Sequence, residues 1–148
     1  VAVGIALAAK RANSKRRVFV LTGDGELAEG SNWEAALVAA HYQLDNLIII
    51  NDKNKLQLAG TTKSIMNTDP LADKWRAFGL DVTECQGNNM QSVVETLEAL
   101  QPKGKPNVVI ANTEKGAGIS FIQGRVEWHH RVPKGAEIDL ALEELSDE

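Results

Sequence analysis

Residues 17–54 decide the fold, reading RVFVLT (17–22), GDGELAEG (23–30), SNWEAALVAAHYQL (31–44) and DNLIIINDKN (45–54). RVFVLT is a short β-branched run between turn residues, and NLIIIN (46–51) is nearly all apolar, so both are predicted to be strands. Unbroken apolar strands are typical of a parallel sheet that is buried on both faces. The order strand, loop, helix, strand therefore predicts a βαβ unit.

A helix is predicted between these two strands. Ser31, followed three residues later by Glu34, forms a capping-box pattern that predicts the start of the helix. The helix is predicted to run to about Leu44, after a polar loop at 23–30. The spacing of its apolar residues predicts one buried face, made of Trp33, Ala36, Leu37, Ala40 and Leu44.

The rest of the chain continues the alternation of helices and strands. Further helices are predicted at 2–12, 71–78, 90–101 and from residue 136 onward, and further strands at 81–85 and 107–112. Long loops are predicted at 52–70 and 113–131, and long loops in compact domains are often functional. This order predicts a three-layer α/β/α domain with a mostly parallel sheet.

Apolar spacing also predicts individual core positions. Val93, Val94, Leu97 and Leu100 are expected to face inward from the helix at 90–101, and Trp33, Trp75 and Cys85 are expected to be buried. The first helix carries apolar residues that are expected to be exposed unless a partner covers them, namely Val3, Ile5 and Leu7.

Length and composition exclude several classes of protein. The 148 residues, 43% hydrophobic and 24% charged, suit one globular domain. The net charge of -4 argues against a nucleic-acid partner, and no apolar run approaches the ~20 residues of a membrane helix. Cys85 is the single cysteine, which favours a reducing, cytoplasmic location. Because the chain begins with Val1 and shows no leader pattern, we expect an excerpt of a longer protein or a processed chain.

Polar residues follow the two strands of the βαβ unit. Asp24 comes directly after the first strand, and Asn54 lies in the segment 51–54 that follows the second. The carboxyl ends of parallel strands meet at one sheet edge, where α/β proteins bind ligands, so these two side chains are expected to lie together. Such an oxygen pair suits Mg²⁺, and Gly23 and Gly25 would let a phosphate approach the backbone.

These segments, with ADKWRAFGLDV (72–82), VVIANTEKGAG (108–118) and VEWHH (126–130), resemble transketolase. The resemblance covers nearly the whole chain and is to the second part of the N-terminal, diphosphate-binding domain of that family. The spacing from GDG to the asparagine is shared by thiamine diphosphate enzymes in general. The segments GELAEG, NDKNKL and KGAG narrow the resemblance to transketolase and its split or deoxyxylulose-forming relatives.

The resemblance implies an enzyme that moves a two-carbon ketol unit from a ketose phosphate to an aldose phosphate. The cofactor would be thiamine diphosphate, held through Mg²⁺ or Ca²⁺. Residues 1–148 would form only part of the diphosphate-binding domain and would be inactive alone. The expected partners are a second copy in a homodimer, or a chain carrying the pyrimidine-binding domain, with sugar phosphates as substrates and no membrane partner.

The resemblance also assigns ligands to the metal and the cofactor. Asp24 and Asn54 would bind the metal through their side chains, and Leu56 would bind it through its backbone carbonyl. Gly25 would contact the diphosphate through its N–H, with Gly23 beside it. Lys115 matches a family position near the cofactor.

Three further residues match family positions with catalytic roles. His129 matches a histidine near the diphosphate and the substrate, where an imidazole can handle protons near neutral pH. His130 stands where the family usually has glycine, so the choice between the two histidines stays open. Glu29 and Glu34 match glutamates of a carboxylate network that links two active sites.

Each candidate also has a purely structural interpretation. Asp24 and Asn54 could be turn residues, and Glu34 could be a capping residue. Lys115 and the histidines could simply be solvated.

Two other functions remain open at this stage. The residues Gly23, Gly25 and Ala28 fit a dinucleotide-binding fingerprint, although Asp24 would then oppose a pyrophosphate with no metal between them. The chain could also be an inert fragment, or one that acts only by assembling with a partner.

Overall fold

The computed structural model describes residues 1–146, in which short helical turns connect longer helices and strands. In chain order the elements are α1 (Ala2–Arg11), β1 (Val18–Gly23), a 3₁₀ helix (Gly25–Ala28), α2 (Gly30–His41), β2 (Leu47–Lys53), β3 (Leu56–Gln57), β4 (Gly60–Thr61), α3 (Thr62–Ile65), α4 (Leu71–Ala77), β5 (Asp81–Gln86), α5 (Met90–Ala99), β6 (Asn107–Asn112), a second 3₁₀ helix (Val126–His129) and α6 (Ala136–Ser146). The last two residues of the predicted acidic helix, 147 and 148, lie outside the described part.

Within residues 1–146, four strands form a parallel sheet in the order β1-β2-β6-β5. β1 and β2 pair directly, which confirms the predicted strand–helix–strand unit. The register aligns Gly23 of β1 with Asp52 of β2, and Asp52 with Ala111 of β6. The carboxyl ends of these three strands therefore lie side by side.

Helices cover both faces of this sheet, as the three-layer prediction requires. On one face, side chains of α1, α2 and α4 pack with β1, β2 and β6 around the buried Trp75. Trp33 of α2 packs against Trp75 with ring centroids 4.7 Å apart. On the other face, α5 packs Val93, Leu97 and Leu100 over a smaller cluster that contains the buried Cys85.

The start and the buried face of α2 differ from the prediction. The helix begins at Gly30 because Glu29 is still extended (φ -77, ψ 121), so the predicted Ser31–Glu34 capping box is wrong. The residues that meet the sheet are Ala36 and Ala39, whose small side chains let the helix lie close. Leu37 therefore points outward and is 57% exposed.

Other differences concern α1, α2 and α5. α2 ends at His41, and Leu44 is buried just beyond it. Val94 is exposed on α5, contrary to the prediction. Two of the α1 residues expected to be exposed, Val3 and Leu7, pack against the core, whereas Ile5 is exposed as predicted.

The segment 52–70 is more ordered than predicted. β2 extends to Lys53, so Asp52 belongs to the strand and Asn54 follows it directly. The antiparallel pair β3–β4 and the single turn of α3 occupy part of the predicted loop. These elements are too short for a periodic pattern to reveal them. Across the described 146 residues, no helix is long and apolar enough to cross a bilayer.

Candidate functional site

A cleft of about 640 Å³ opens at the carboxyl ends of β1 and β2. Its volume lies in the range of small-molecule sites, roughly 300–1,000 Å³. Seven of the residues singled out from the sequence line it: Gly23, Asp24, Gly25, Asn54, Leu56, Lys115 and His129. Glu29 and Glu34 instead lie exposed near the start of α2. The fold thus brings the metal and diphosphate candidates together and leaves the two glutamates on the surface.

Asp24 is a buried carboxylate at the base of this cleft, with 3% of its surface exposed. Burial is the main cause that raises its pKa, and the negative charge of Asp52 raises it further. A hydrogen bond from the Lys55 N–H to its Oδ2, 2.5 Å long, acts in the opposite direction. Ionised Asp24 is therefore costly in this site, and a bound cation would offset that cost.

Asn54 presents its side-chain oxygen within the turn that contacts Asp24. Its Nδ2 donates a hydrogen bond to Oδ2 of Asp52 at 3.2 Å, and its Oδ1 accepts one from the Leu56 N–H at 2.9 Å. Between them, Lys55 adopts a left-handed conformation with φ 64 and turns its own N–H toward Asp24. The left-handed residue is therefore Lys55 and not Asn54, which removes that structural interpretation of the asparagine.

The chemistry of these groups fits a hard divalent cation. The carboxylate of Asp24, the carboxamide of Asn54 and the carbonyl of Leu56 are all oxygen donors, which suit Mg²⁺ or Ca²⁺. Residues 1–146 contain no group of three or more His, Cys, Asp or Glu side chains arranged to hold a metal. This agrees with a Mg²⁺ site of the usual kind, in which one or two carboxylates are completed by substrate phosphates and water.

The two glycines of the GDG segment have different surroundings. A Cβ on Gly25 would lie 2.8 Å from Cβ of Gln57, closer than real Cβ atoms approach. Gly25 is therefore required by the packing of Gln57, which is 9% exposed and lines the cleft. A Cβ on Gly23 meets no described atom within 4 Å, so a ligand could approach the backbone there.

Lys115 and His129 form another part of the cleft wall. The pKa of His129 is lowered by desolvation first, and then by the positive charge of Lys115 and by His130. A lowered pKa keeps this imidazole neutral at pH 7, able to accept a proton. The ring of His130 lies edge-on to that of His129, with centroids 4.6 Å apart. Of the two histidines, His129 is the one among the described cleft-lining residues.

Sequence reasoning missed several residues of the cleft. Asp52 holds the amide of Asn54, and Gln57 packs on Gly25. An apolar wall is formed by Leu58, Ile65 and Met66, all of them exposed. Large apolar residues in a segment without helical or strand periodicity were the one signal that could have indicated this wall.

The position of Asp24 also bears on the dinucleotide alternative. A pyrophosphate at Gly23 and Gly25 would meet the Asp24 carboxylate, and α2 begins at Gly30 instead of opening on those glycines. The geometry therefore disfavours a dinucleotide fingerprint, which needs a helix N-terminus at the glycines.

Comparison with known proteins assigns residues 6–146 to the family model described as transketolase, thiamine diphosphate binding domain. A protein of Actinobacillus succinogenes, named as one subunit of apulose-4-phosphate transketolase, is 74% identical over 148 residues, covering 100% of this chain and 54% of that protein. Its namesake from Phocaeicola vulgatus is 41% identical, covering 99% of this chain and 53% of that protein. The chain thus spans about half the length of these relatives.

Solved structures show the same fold. Transketolase from Pichia stipitis, in complex with sedoheptulose-7-phosphate, aligns with a TM-score of 0.88 at 29% identity, covering 98% of this chain and 23% of that one. Transketolase from Campylobacter jejuni aligns with a TM-score of 0.81 at 25% identity, covering 98% of this chain and 28% of that one. The parallel sheet and its flanking helices are therefore part of the fold seen in these enzymes.

Proposed function

Since this chain belongs to the transketolase family through its thiamine diphosphate-binding domain, we propose that it holds the cofactor of a split transketolase. The reaction proposed is transfer of a two-carbon ketol unit from a ketose phosphate to an aldose phosphate. The observation that carries the proposal is the convergence of the Asp24 carboxylate with Asn54 and Leu56 on one turn. That arrangement supplies hard oxygen ligands at the sheet edge where α/β folds bind phosphates.

The residues of the cleft divide the work of holding the cofactor. Asp24, Asn54 and the carbonyl of Leu56 would bind Mg²⁺, or Ca²⁺ in its place, and Gly23 and Gly25 would leave the backbone open to the diphosphate. Lys115 would offset part of the negative charge of the diphosphate. When bound, thiamine diphosphate supplies the carbon nucleophile for the transfer.

His129 is proposed as the residue that exchanges protons with the substrate. It lines the cleft, and its lowered pKa leaves the imidazole neutral at pH 7. A neutral imidazole can accept a proton from a substrate hydroxyl and return it in a later step. His130, outside the cleft lining, would act on the reaction only through its neighbour.

Glu29 and Glu34 are proposed to act across an interface and not in this cleft. Both are exposed on the α2 side of the molecule, beside the exposed apolar side chains of Leu37 and Val38. A carboxylate network linking two sites therefore requires a second copy of the chain against α2. We propose a homodimeric core of this kind.

A partner chain carrying the pyrimidine-binding domain is also proposed. Support comes from the names of the two relatives above, each of which designates one lettered subunit of an enzyme, and from another match that is named a transketolase subunit. That match, the 6-deoxy-6-sulfo-D-fructose transketolase subunit SqwG of a Clostridium species, is 42% identical over 130 residues. The active enzyme would then contain two kinds of chain.

Apulose 4-phosphate is proposed as the sugar phosphate on which the enzyme acts. The 74% identity to the Actinobacillus protein supports this choice over the sulfosugar of the Clostridium protein. The test is a panel of ketoses, apulose 4-phosphate, xylulose 5-phosphate and 6-deoxy-6-sulfofructose, offered to the complete protein co-purified with its partner. We expect two-carbon transfer that needs both chains, thiamine diphosphate and Mg²⁺, and that is fastest with apulose 4-phosphate. Transfer from none of the three would contradict the proposed reaction, and an equal rate with all three would contradict the substrate.

A further inference from the structure

We propose that Asp52 is a positioning residue, which fixes the carboxamide of Asn54 so that its oxygen and not its nitrogen is available to the metal. The inference rests on the proposed function, because it assigns a role within the same site. Asp52 is not proposed as a ligand itself. It acts through the orientation of Asn54.

Asp52 lies at the centre of the sheet edge that forms the cleft. In the register it pairs with Gly23 on one side and with Ala111 on the other. Its Oδ2 accepts a hydrogen bond from Nδ2 of Asn54 at 3.2 Å, and its Oδ1 accepts one from the hydroxyl of Thr113. With donors on both oxygens, the half-buried carboxylate is held in one pose.

A carboxylate at this point selects one of the two orientations of the asparagine amide. An ionised carboxylate only accepts hydrogen bonds, so it pairs with the NH₂ end of Asn54 and rejects the oxygen end. The Leu56 N–H, which only donates, makes the complementary selection for Oδ1. Because an amide oxygen has two lone pairs, the bond from Leu56 leaves one lone pair for a cation.

The same carboxylate connects the metal turn to the Lys115 segment. Thr113, which donates its hydroxyl to Asp52, also donates its N–H to the carbonyl of Lys53 at 3.2 Å. Lys115 follows two residues later and lines the cleft. Asp52 therefore aligns the strand end that leads to Asn54 with the strand end that leads to Lys115.

The test is the binding of Mn²⁺, as a spectroscopic substitute for Mg²⁺, to the complete protein in complex with its partner in saturating thiamine diphosphate. Free Mn²⁺ is measured by electron paramagnetic resonance. Asp52→Asn keeps the size of the side chain but adds an NH₂ group, which can pair with either orientation of Asn54. We expect its affinity for Mn²⁺ to fall by about 10–100-fold, as is usual when a partner of a metal ligand is changed. Excess Mn²⁺ should restore cofactor binding to the wild-type level.

Two further variants separate this role from general stability. Thr113→Val removes one donor to Asp52 but leaves the bond to Asn54, and should weaken Mn²⁺ binding by a smaller factor. Glu84→Gln is the matched control, because Glu84 accepts a hydrogen bond from Nδ2 of Asn112 at 3.1 Å at the same sheet edge, outside the cleft lining. It should bind Mn²⁺ like the wild type. Thermal unfolding without cofactor is recorded for all the variants.

The outcomes distinguish this inference from the proposed function. A wild-type complex that binds no Mn²⁺ with thiamine diphosphate would overturn the proposed function and the role of Asp52 with it. A wild-type complex that binds Mn²⁺, with Asp52→Asn binding equally well, would overturn only the role of Asp52. Equal losses in Asp52→Asn and Glu84→Gln would do the same. If Asp52→Asn does not fold, unchanged binding in Thr113→Val would overturn the inference, and a loss greater than in Glu84→Gln would support it.

Discussion

The carboxylate of Asp24 accepts a 2.5 Å hydrogen bond from the backbone N–H of Lys55, a residue 31 positions later in the chain. This contact joins the end of β1 to the turn after β2 and brings the main metal-ligand candidates together. It engages one oxygen of a carboxylate that is otherwise desolvated and close to other acidic residues. The contact therefore positions a charge that the protein alone compensates poorly, as expected of a site built for a ligand.

Asp24→Asn should stabilise the cofactor-free protein while abolishing metal-dependent cofactor binding. The amide keeps an oxygen for the Lys55 N–H but removes a buried charge that is costly in the folded state. Because folding raises the pKa of Asp24, its ionisation destabilises the wild type as pH increases from the ordinary value of 3.8 through the raised folded pKa. The advantage of the variant should thus be smallest below pH 3.8, grow over that window and then level off.

Thermal unfolding measured from pH 3 to pH 8 checks this pH dependence. Asp73→Asn serves as a control, since Asp73 is exposed and paired only with Arg76 in the described structure. That exposed pair should contribute little at any pH. An Asp24→Asn protein less stable than the wild type at pH 7 would show that the carboxylate is not strained by burial.

Gly25→Ala and Gly23→Ala should differ sharply in stability. The added methyl group at Gly25 meets the Gln57 side chain at 2.8 Å, whereas at Gly23 it meets no described atom within 4 Å. Overpacking of this kind costs about 1–3 kcal/mol, which corresponds to a lower melting temperature by roughly 2–4 °C per kcal/mol for a chain of this size. Gly23→Ala should melt like the wild type and lose affinity for thiamine diphosphate. Equal melting temperatures for the two variants would refute the proposed packing against Gln57.

His129→Ala should reduce the turnover of the assembled enzyme far more than His130→Ala. Positioned acid–base groups contribute about 10²–10⁴-fold to rate, and His129 is the histidine that lines the cleft. Because His130 lowers the pKa of His129, His130→Ala should shift the acidic limb of the pH–rate profile upward, toward 6.5. Profiles from pH 5 to pH 8.5 test both expectations, and a large loss in His130→Ala alone would reverse the assignment.

Cys85 should be unreactive toward thiol reagents in the folded protein. It lies in the core cluster under α5, and burial raises the pKa of its thiol, with a smaller opposite effect from Thr96. Little thiolate is therefore present at pH 8, and access is blocked. Titration with Ellman's reagent should show slow reaction that becomes complete on denaturation. Glu84→Cys in a Cys85→Ala background, exposed on the same strand, should react rapidly.

Much of the fold could be predicted because its signals are local. The apolar runs that became β2 and β6 and the amphipathic pattern of α5 depend only on neighbouring residues. The start of α2 could not be predicted in this way, because the extended backbone at Glu29 outweighed the Ser31–Glu34 pattern. The hairpin β3–β4 was equally hidden, since two residues in each strand carry no periodicity.

The candidate site was predicted where residues follow strand ends, and missed where side chains meet across the fold. Asp24 and Asn54 could be placed together because parallel strands align their carboxyl ends. The bond between Asp52 and Thr113 joins residues 61 positions apart, and the contact between Gly25 and Gln57 depends on how β3 crosses the first 3₁₀ helix. No pattern in the sequence contains this information, because it arises from the three-dimensional packing.

Native mass spectrometry of the complete wild-type protein and its Asp24→Asn variant, each with its partner chain, Mg²⁺ and thiamine diphosphate, tests the central claim most directly. It reports chain composition, bound metal and bound cofactor together. The wild-type assembly should carry one thiamine diphosphate and one Mg²⁺ for each copy of this chain, and the Asp24→Asn assembly should carry neither. A wild-type assembly without cofactor, or a variant that retains both groups, would contradict the account.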